Sequence, residues 1–203
     1  MITSLRAASR TIADFLQARL EADPRTAALF GPGGTMGVFV NTPTQMTGTR
    51  RGVSVWMYQA VRDDATLNRP AERITSSLTR RVPLPVRLHY LITPITGATD
   101  DNAQETDLVI LGKVLQCFHS RPQLLGADLS DDLAGTDGVV TVRLETLTAY
   151  ELSRIWDSLD TAYSTSLSYE ATVVDVDLDA EPETGTPVKV PLANAGVIVG
   201  SGT

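Results

Sequence analysis

The chain has 203 residues, 42% hydrophobic and 20% charged, which is apolar material enough for one buried core and far from the composition of disordered chains. Its 17 basic and 24 acidic residues leave a net charge of −7, and the pairs Arg50-Arg51 and Arg80-Arg81 stand apart from any aromatic stripe, so nucleic acid is not an expected partner. Cys117 is the single cysteine, which excludes an internal disulfide and a cysteine-only metal site, and no leader-like or 18-residue apolar run predicts export or membrane insertion.

From Thr3 to about Glu21, Leu5, Ala8, Ile12, Phe15, Leu16 and Leu20 recur at three- and four-residue steps, which predicts an amphipathic helix ended by Pro24. Gly31-Pro32-Gly33-Gly34 reads as a loop, followed by a short extended piece, Gly37 to Val40. A phosphate loop would need Lys and Ser or Thr opening a helix, and Met36, Gly37 and Val38 stand there instead. Val53 to Val61 alternates Val53, Val55 and Met57 with Ser54, Trp56 and Tyr58. This predicts a strand with an aromatic face, Trp56 and Tyr58 packing on a helix or a neighbouring subunit.

Arg62 to Val82 lacks periodicity and reads as a long connection, and Val86 to Ile95 as a strand. Between Gln104 and His119, Leu108, Leu111, Leu115 and Phe118 form a stripe widened by Val109, Ile110 and Val114, so a largely buried helix is predicted. Val139 to Glu145 alternates as a further strand. Thr148 and Glu151 form a capping box with Leu147 and Leu152 as a hydrophobic staple, opening a helix that buries Leu152, Ile155, Trp156 and Leu159. A last core strand runs from Thr165 to about Leu178, with Leu167, Tyr169 and Ala171 facing one way. Tyr169 and Trp156 join Trp56 and Tyr58 as packing or subunit-interface aromatics.

The element order predicts an α+β fold: a mixed, mainly antiparallel β-sheet flanked by about three helices. Residues 1–180 make the core domain and 181–203 a Pro/Gly-containing linker with an extended, β-prone arm.

Little in the chain suits catalysis. Of the two histidines, His89 lies in a strand and reads as a structural hydrogen-bonding group. Cys117 and His119, two apart on a helix, do not share a face, so Cys117 reads as a small buried hydrophobe. Asp175, Asp177 and Asp179 imitate a calcium loop, but Ala180 stands where the turn glycine is needed and Thr186 where the bidentate Glu is needed. A solvated strand face is the simpler reading. No catalytic, cofactor-binding or metal-ligating set, and no cofactor, is therefore expected.

Four segments carry a resemblance: Val53 to Asn68, Pro83 to Pro94, Leu111 to Leu124 and Leu147 to Val174. Their most telling pieces are the Leu-His-Tyr-Leu-Ile-Thr-Pro run (Leu88 to Pro94), the Leu111-Gly112 pair, and Leu152-x-x-Ile155-Trp156 ahead of Ser166 to Tyr169. In order and spacing these resemble the N-terminal domain of cap, or tail-terminator, proteins of phage-tail-like contractile injection systems. The resemblance implies a homo-hexameric ring at the end of the inner tube and sheath distal to the baseplate. Such a ring ends polymerisation and stabilises the extended sheath, and no reaction is implied. Synthesis and assembly in the cytoplasm, followed by a place on the particle, go with it. The implied partners are further copies of the chain and the sheath and inner-tube proteins. The arm supplies candidate sheath contacts: Val188, Val190, Leu192, Val197, Ile198 and Val199. A neck or tube-completion connector of the same kind of particle is the alternative, and a small cytoplasmic enzyme a more distant one.

Overall fold

The computed structural model describes residues 4–46, 48, 50–64, 72–73, 78–80, 84–97, 102–174 and 183–184. Helix α1 (Ser4–Ala22) buries Ala8, Ile12, Phe15, Leu16 and Leu20 as its periodicity predicts, whereas Leu5, the first member of the predicted stripe, is exposed. Its last turn is closed from outside, the Thr26 hydroxyl donating to the Leu20 carbonyl at 2.6 Å, which satisfies one of the carbonyls a helix end leaves unpaired. After α2 (Ala27–Phe30) the glycine-rich turn leads into strand β1 (Met36–Phe39). Gln17 of α1 fixes this segment, donating to the Phe30 carbonyl and accepting from the Val38 amide.

The remaining elements are α3 (Pro43–Met46), β2 (Arg51–Arg62), β3 (Glu72–Arg73), β4 (Leu78–Arg80), β5 (Val86–Ile95), α4 (Ala103–Ser120), β6 (Gln123–Leu125), β7 (Val139–Leu144), α5 (Ala149–Asp157), β8 (Leu167–Val174) and β9 (Glu183–Thr184), with 3-10 turns at Gly126–Asp128 and Asp131–Leu133. The main sheet has the strand order β1-β2-β5-β8-β7-β6. Only the β1–β2 pair is parallel, so the expected mixed, mainly antiparallel sheet is present. Five helices flank it among the described residues, where about three were expected; the additional two, α2 and α3, have four residues each and are too short for a periodic signal.

One face of the sheet is dry. Val53, Val55, Leu88, Tyr90, Ile92, Val140, Val142, Tyr169 and Ala171 meet α1 and the Ile110, Val114, Cys117 and Phe118 side of α4 in one apolar cluster. Phe118 knits it, its ring 5.8 Å from that of Phe15 and 4.9 Å from that of Tyr169. Helix α5 packs outside this cluster. Trp156, buried but outside the main cluster, donates from its indole nitrogen to Ser166.

Three local readings change. The predicted stripe on α4 is rotated: Leu108 is 57% exposed, and Val109 and Leu115 are also exposed, while Ile110, Leu111, Val114, Cys117 and Phe118 are buried. With apolar residues on both sides of this helix, periodicity alone leaves the facing side undetermined. Within the predicted long connection, β3 and β4 form a hairpin, and β9, inside the predicted linker, pairs with β4. Strands of two or three residues are too short for alternation to register. Of the residues predicted to be buried by α5, only Trp156 is fully buried; Leu152 and Ile155 on the helix, and Leu159 just beyond its end, are half-buried.

Gly52 is required where it sits. Its φ is +136°, and a Cβ there would lie 1.9 Å from the Gly37 carbonyl oxygen, its partner in the parallel β1–β2 register. The tight approach of these two backbones sets the sheet edge.

Candidate functional site

The outer face of the sheet carries the chain's main buried polar constellation. Along β5 the outward residues are Arg87, His89, Leu91 and Thr93, so the face runs from charged to apolar. His89 stands opposite Glu170 of β8, which in turn stands opposite Arg143 of β7. On β2, Tyr58 follows Trp56 onto the same face by alternation; the ladder slips between Met57 and Gln59, leaving Tyr58 out of the register, and its ring lies 5.9 Å from that of His89. Glu145 is positioned by its own amide, which donates to the Ser168 carbonyl at 2.9 Å.

Glu145 is the common acceptor. His89 Nδ1 lies 2.8 Å from its Oε1, Ser168 donates to Oε2 at 2.6 Å, and Tyr58 donates to Oε2 at 3.2 Å and lies 3.0 Å from Ser168 Oγ. An ionised carboxylate has no hydrogen to give, so Nδ1 of His89 carries the proton in this bond. Burial, and then the neighbouring carboxylate, push the Tyr58 hydroxyl up to about 12. Arg87 completes the group, its guanidinium 3.3 Å from Glu170 and 3.6 Å from Asp63.

His89 is thus hydrogen-bonded within the sheet. It faces away from Cys117, which packs in the dry core, where burial pushes its thiol up. The two groups best suited to nucleophilic chemistry stand on opposite sides of the sheet. A cleft of about 430 Å³ between the turn that follows α1 and helix α4 is lined by Asp23, Arg25, Leu108, Val109 and Lys113. Its central charges neutralise each other: Lys113 sits 2.7 Å from Asp23 and holds that carboxyl below its usual range.

Of the candidate interface aromatics, Tyr169 lies in the core and Trp156 is the buried residue of α5, each packed within its own chain. Trp56 and Tyr58 are half-buried on the outer face, their rings 6.1 Å apart. The arm residues Val188, Val190, Leu192, Val197, Ile198 and Val199, and the acids Asp175, Asp177 and Asp179, lie outside the described residues. No helix among the described residues is long and apolar enough to cross a membrane. The Glu145 constellation escapes the sequence because its members come from four separate segments. The sole local hint is that Arg87, His89 and Glu170 are polar at alternate strand positions.

This layered arrangement has counterparts among solved structures. The chain is similar to the PVC sheath/tube terminator of an extracellular contractile injection system in its extended state, with a TM-score of 0.54 and 21% identity, covering 94% of this chain and 64% of that one. It is also similar to the tube-terminating cap of the anti-feeding prophage, with a TM-score of 0.53 and 21% identity over 77% of this chain and 53% of that one. The chain therefore spans less than two-thirds of the length of either terminator. No curated protein matches it. The family model for the Pvc16 N-terminal domain matches residues 7–189, and the chain belongs to that family.

Proposed function

We propose that this chain is the terminator of a contractile injection system. It forms a homo-hexameric ring on the end of the inner tube and sheath distal to the baseplate, ends their polymerisation and holds the sheath extended. Assembly takes place in the cytoplasm, after which the ring stays on the particle. The observation that carries the reading is the terminator fold over 94% of the chain, joined to family membership over residues 7–189. The chemistry agrees with a structural role: the outer-face polar groups are engaged with one another, and the thiol is packed in the core.

In a closed ring each subunit meets its neighbours through two different surfaces. Contact with sheath falls to the arm, whose Val188, Val190, Leu192, Val197, Ile198 and Val199 suit addition to an exposed sheet edge through main-chain hydrogen bonds. Particles imaged from cells lacking this chain test the reading. Tubes and sheaths of uncontrolled length are expected, and particles of normal length and form would reject it. Native mass measurement on the purified chain with tube and sheath proteins should give a hexamer; a monomer under every condition would reject the ring. Truncation after Asp179 should preserve the ring and weaken sheath attachment, and unchanged sheath binding would reject the arm.

A further inference from the structure

We propose that His89, Glu145 and Glu170 form a binding site for a divalent transition-metal cation of the Zn²⁺ or Co²⁺ type. One ligand atom from each side chain lies within 4.8 Å of the others, and all three residues are half-buried, so the set is both gathered and reachable. Ligands 2.0–2.1 Å from a shared ion stand roughly 3 to 4 Å apart. The widest pair therefore has to close by about an ångström, within the reach of a glutamate side chain turning about its own bonds.

The scaffold is stiff where that matters. His89 and Glu170 are directly opposed on neighbouring strands, and Glu145 is held at Oε2 by Ser168 and Tyr58, which leaves Oε1 turned to the imidazole; an ion bound between them takes the place of the Nδ1 proton, which is released to solvent. Outer-shell donors that fix a ligating carboxylate are the usual companions of a metal site. Arg87 contacts Glu170 through Oε2, leaving Oε1 for another partner. The local charge favours a cation: the three carboxylates of Asp63, Glu145 and Glu170 stand against two guanidinium groups, Arg87, which contacts Asp63 and Glu170, and Arg143, opposite Glu170 in the strand register. One imidazole with two carboxylates selects a borderline ion such as Zn²⁺ or Co²⁺ over Mg²⁺ or Ca²⁺, which prefer all-oxygen shells. Three protein ligands leave further positions for water. The bound ion would tie β5, β8 and the segment after β7 together on the outer face of the sheet, and this role is independent of whether the ring forms.

The test is a titration of the purified, untagged full chain with Co²⁺, followed by its visible absorption and by the thermal unfolding midpoint. Saturable binding of one ion per chain with a raised midpoint is expected. His89→Gln and Glu170→Gln should each weaken Co²⁺ binding at least tenfold, whereas His119→Gln, altering the other histidine, should leave it unchanged. Glu170→Gln keeps the size of the side chain and so reports even if His89→Gln unfolds the protein. No saturable binding up to millimolar Co²⁺ would overturn the proposal. So would binding lost with His119 rather than His89, or a midpoint raised as much by Mg²⁺ as by Co²⁺.

Discussion

Ser9 and Tyr90 meet inside the dry core, and their hydrogens can be assigned by counting. Ser9 Oγ donates its one hydrogen to the Leu5 carbonyl at 2.8 Å and lies 3.0 Å from the Tyr90 hydroxyl, so Tyr90 is the donor in that second bond. Tyr90 is fully buried and Ser9 is 4% exposed, so water replaces neither partner. Tyr90→Phe removes one neutral hydrogen bond and leaves Ser9 bonded to Leu5, a cost of about 1 kcal/mol. Ser9→Ala strands the Tyr90 hydroxyl without an acceptor, at a cost of about 2 kcal/mol. The double variant buries neither orphan, so it should cost about 1 kcal/mol rather than the sum of about 3. Urea unfolding of the four proteins at neutral pH reads these differences directly. The reasoning is refuted if Ser9→Ala costs no more than Tyr90→Phe and the double variant equals the sum of the two.

Three further outcomes follow from single features. Gly52→Ala should destabilise by about 3 kcal/mol or more, because it adds left-handed strain to a collision with the Gly37 backbone; urea unfolding indistinguishable from the parent would show that β1 can yield. Thr148→Ala should cost about 1 kcal/mol by removing the cap of α5, with Thr148→Ser restoring most of it, measured by the same unfolding assay. Burial pushes the hydroxyls of Tyr58 and Tyr90 up to about 12, while in the unfolded chain they ionise near 10. The fold favours their neutral form, so their contribution is intact below about pH 10 and is lost as pH rises from there towards 12. Unfolding midpoints measured from pH 8 to 11.5 should fall above pH 10, less steeply in Tyr90→Phe, and equal slopes would contradict the assignment.

The elements most legible in the sequence are those whose local pattern and tertiary role coincide. Val86–Ile95 has the predicted bounds, the α1 stripe is buried from Ala8 onward, and the Thr148–Glu151 capping box closes with both of its hydrogen bonds. Helix α4 shows the limit of periodicity. A period of 3.6 residues identifies the helix, but choosing between Leu108 and Leu115 on one side and Val114 and Phe118 on the other requires knowing where the sheet lies. The β3–β4–β9 sheet joins strands of two or three residues across about a hundred positions, a pairing set by tertiary placement. His89 was readable as a hydrogen-bonding group. Its partner was not, since Glu145 lies 56 positions away.

The two faces of β5 explain why a strand of such mixed composition is stable. Inward Leu88, Tyr90 and Ile92 are fully buried against α1 and α4, and each apolar side chain of this kind is worth roughly 1.5–3 kcal/mol. Outward, Leu91 is equally buried, and beyond the Ile92–Leu167 pair the indole of Trp156, on α5, reaches Ser166. Towards the other end of the strand the outward side chains are charged, and Arg87, His89, Glu145, Ser168 and Glu170 satisfy one another through charge-assisted bonds. Removing the carboxylates would leave His89 and Arg87 without these partners on a half-buried surface, whereas the apolar side chains of the inner face need none.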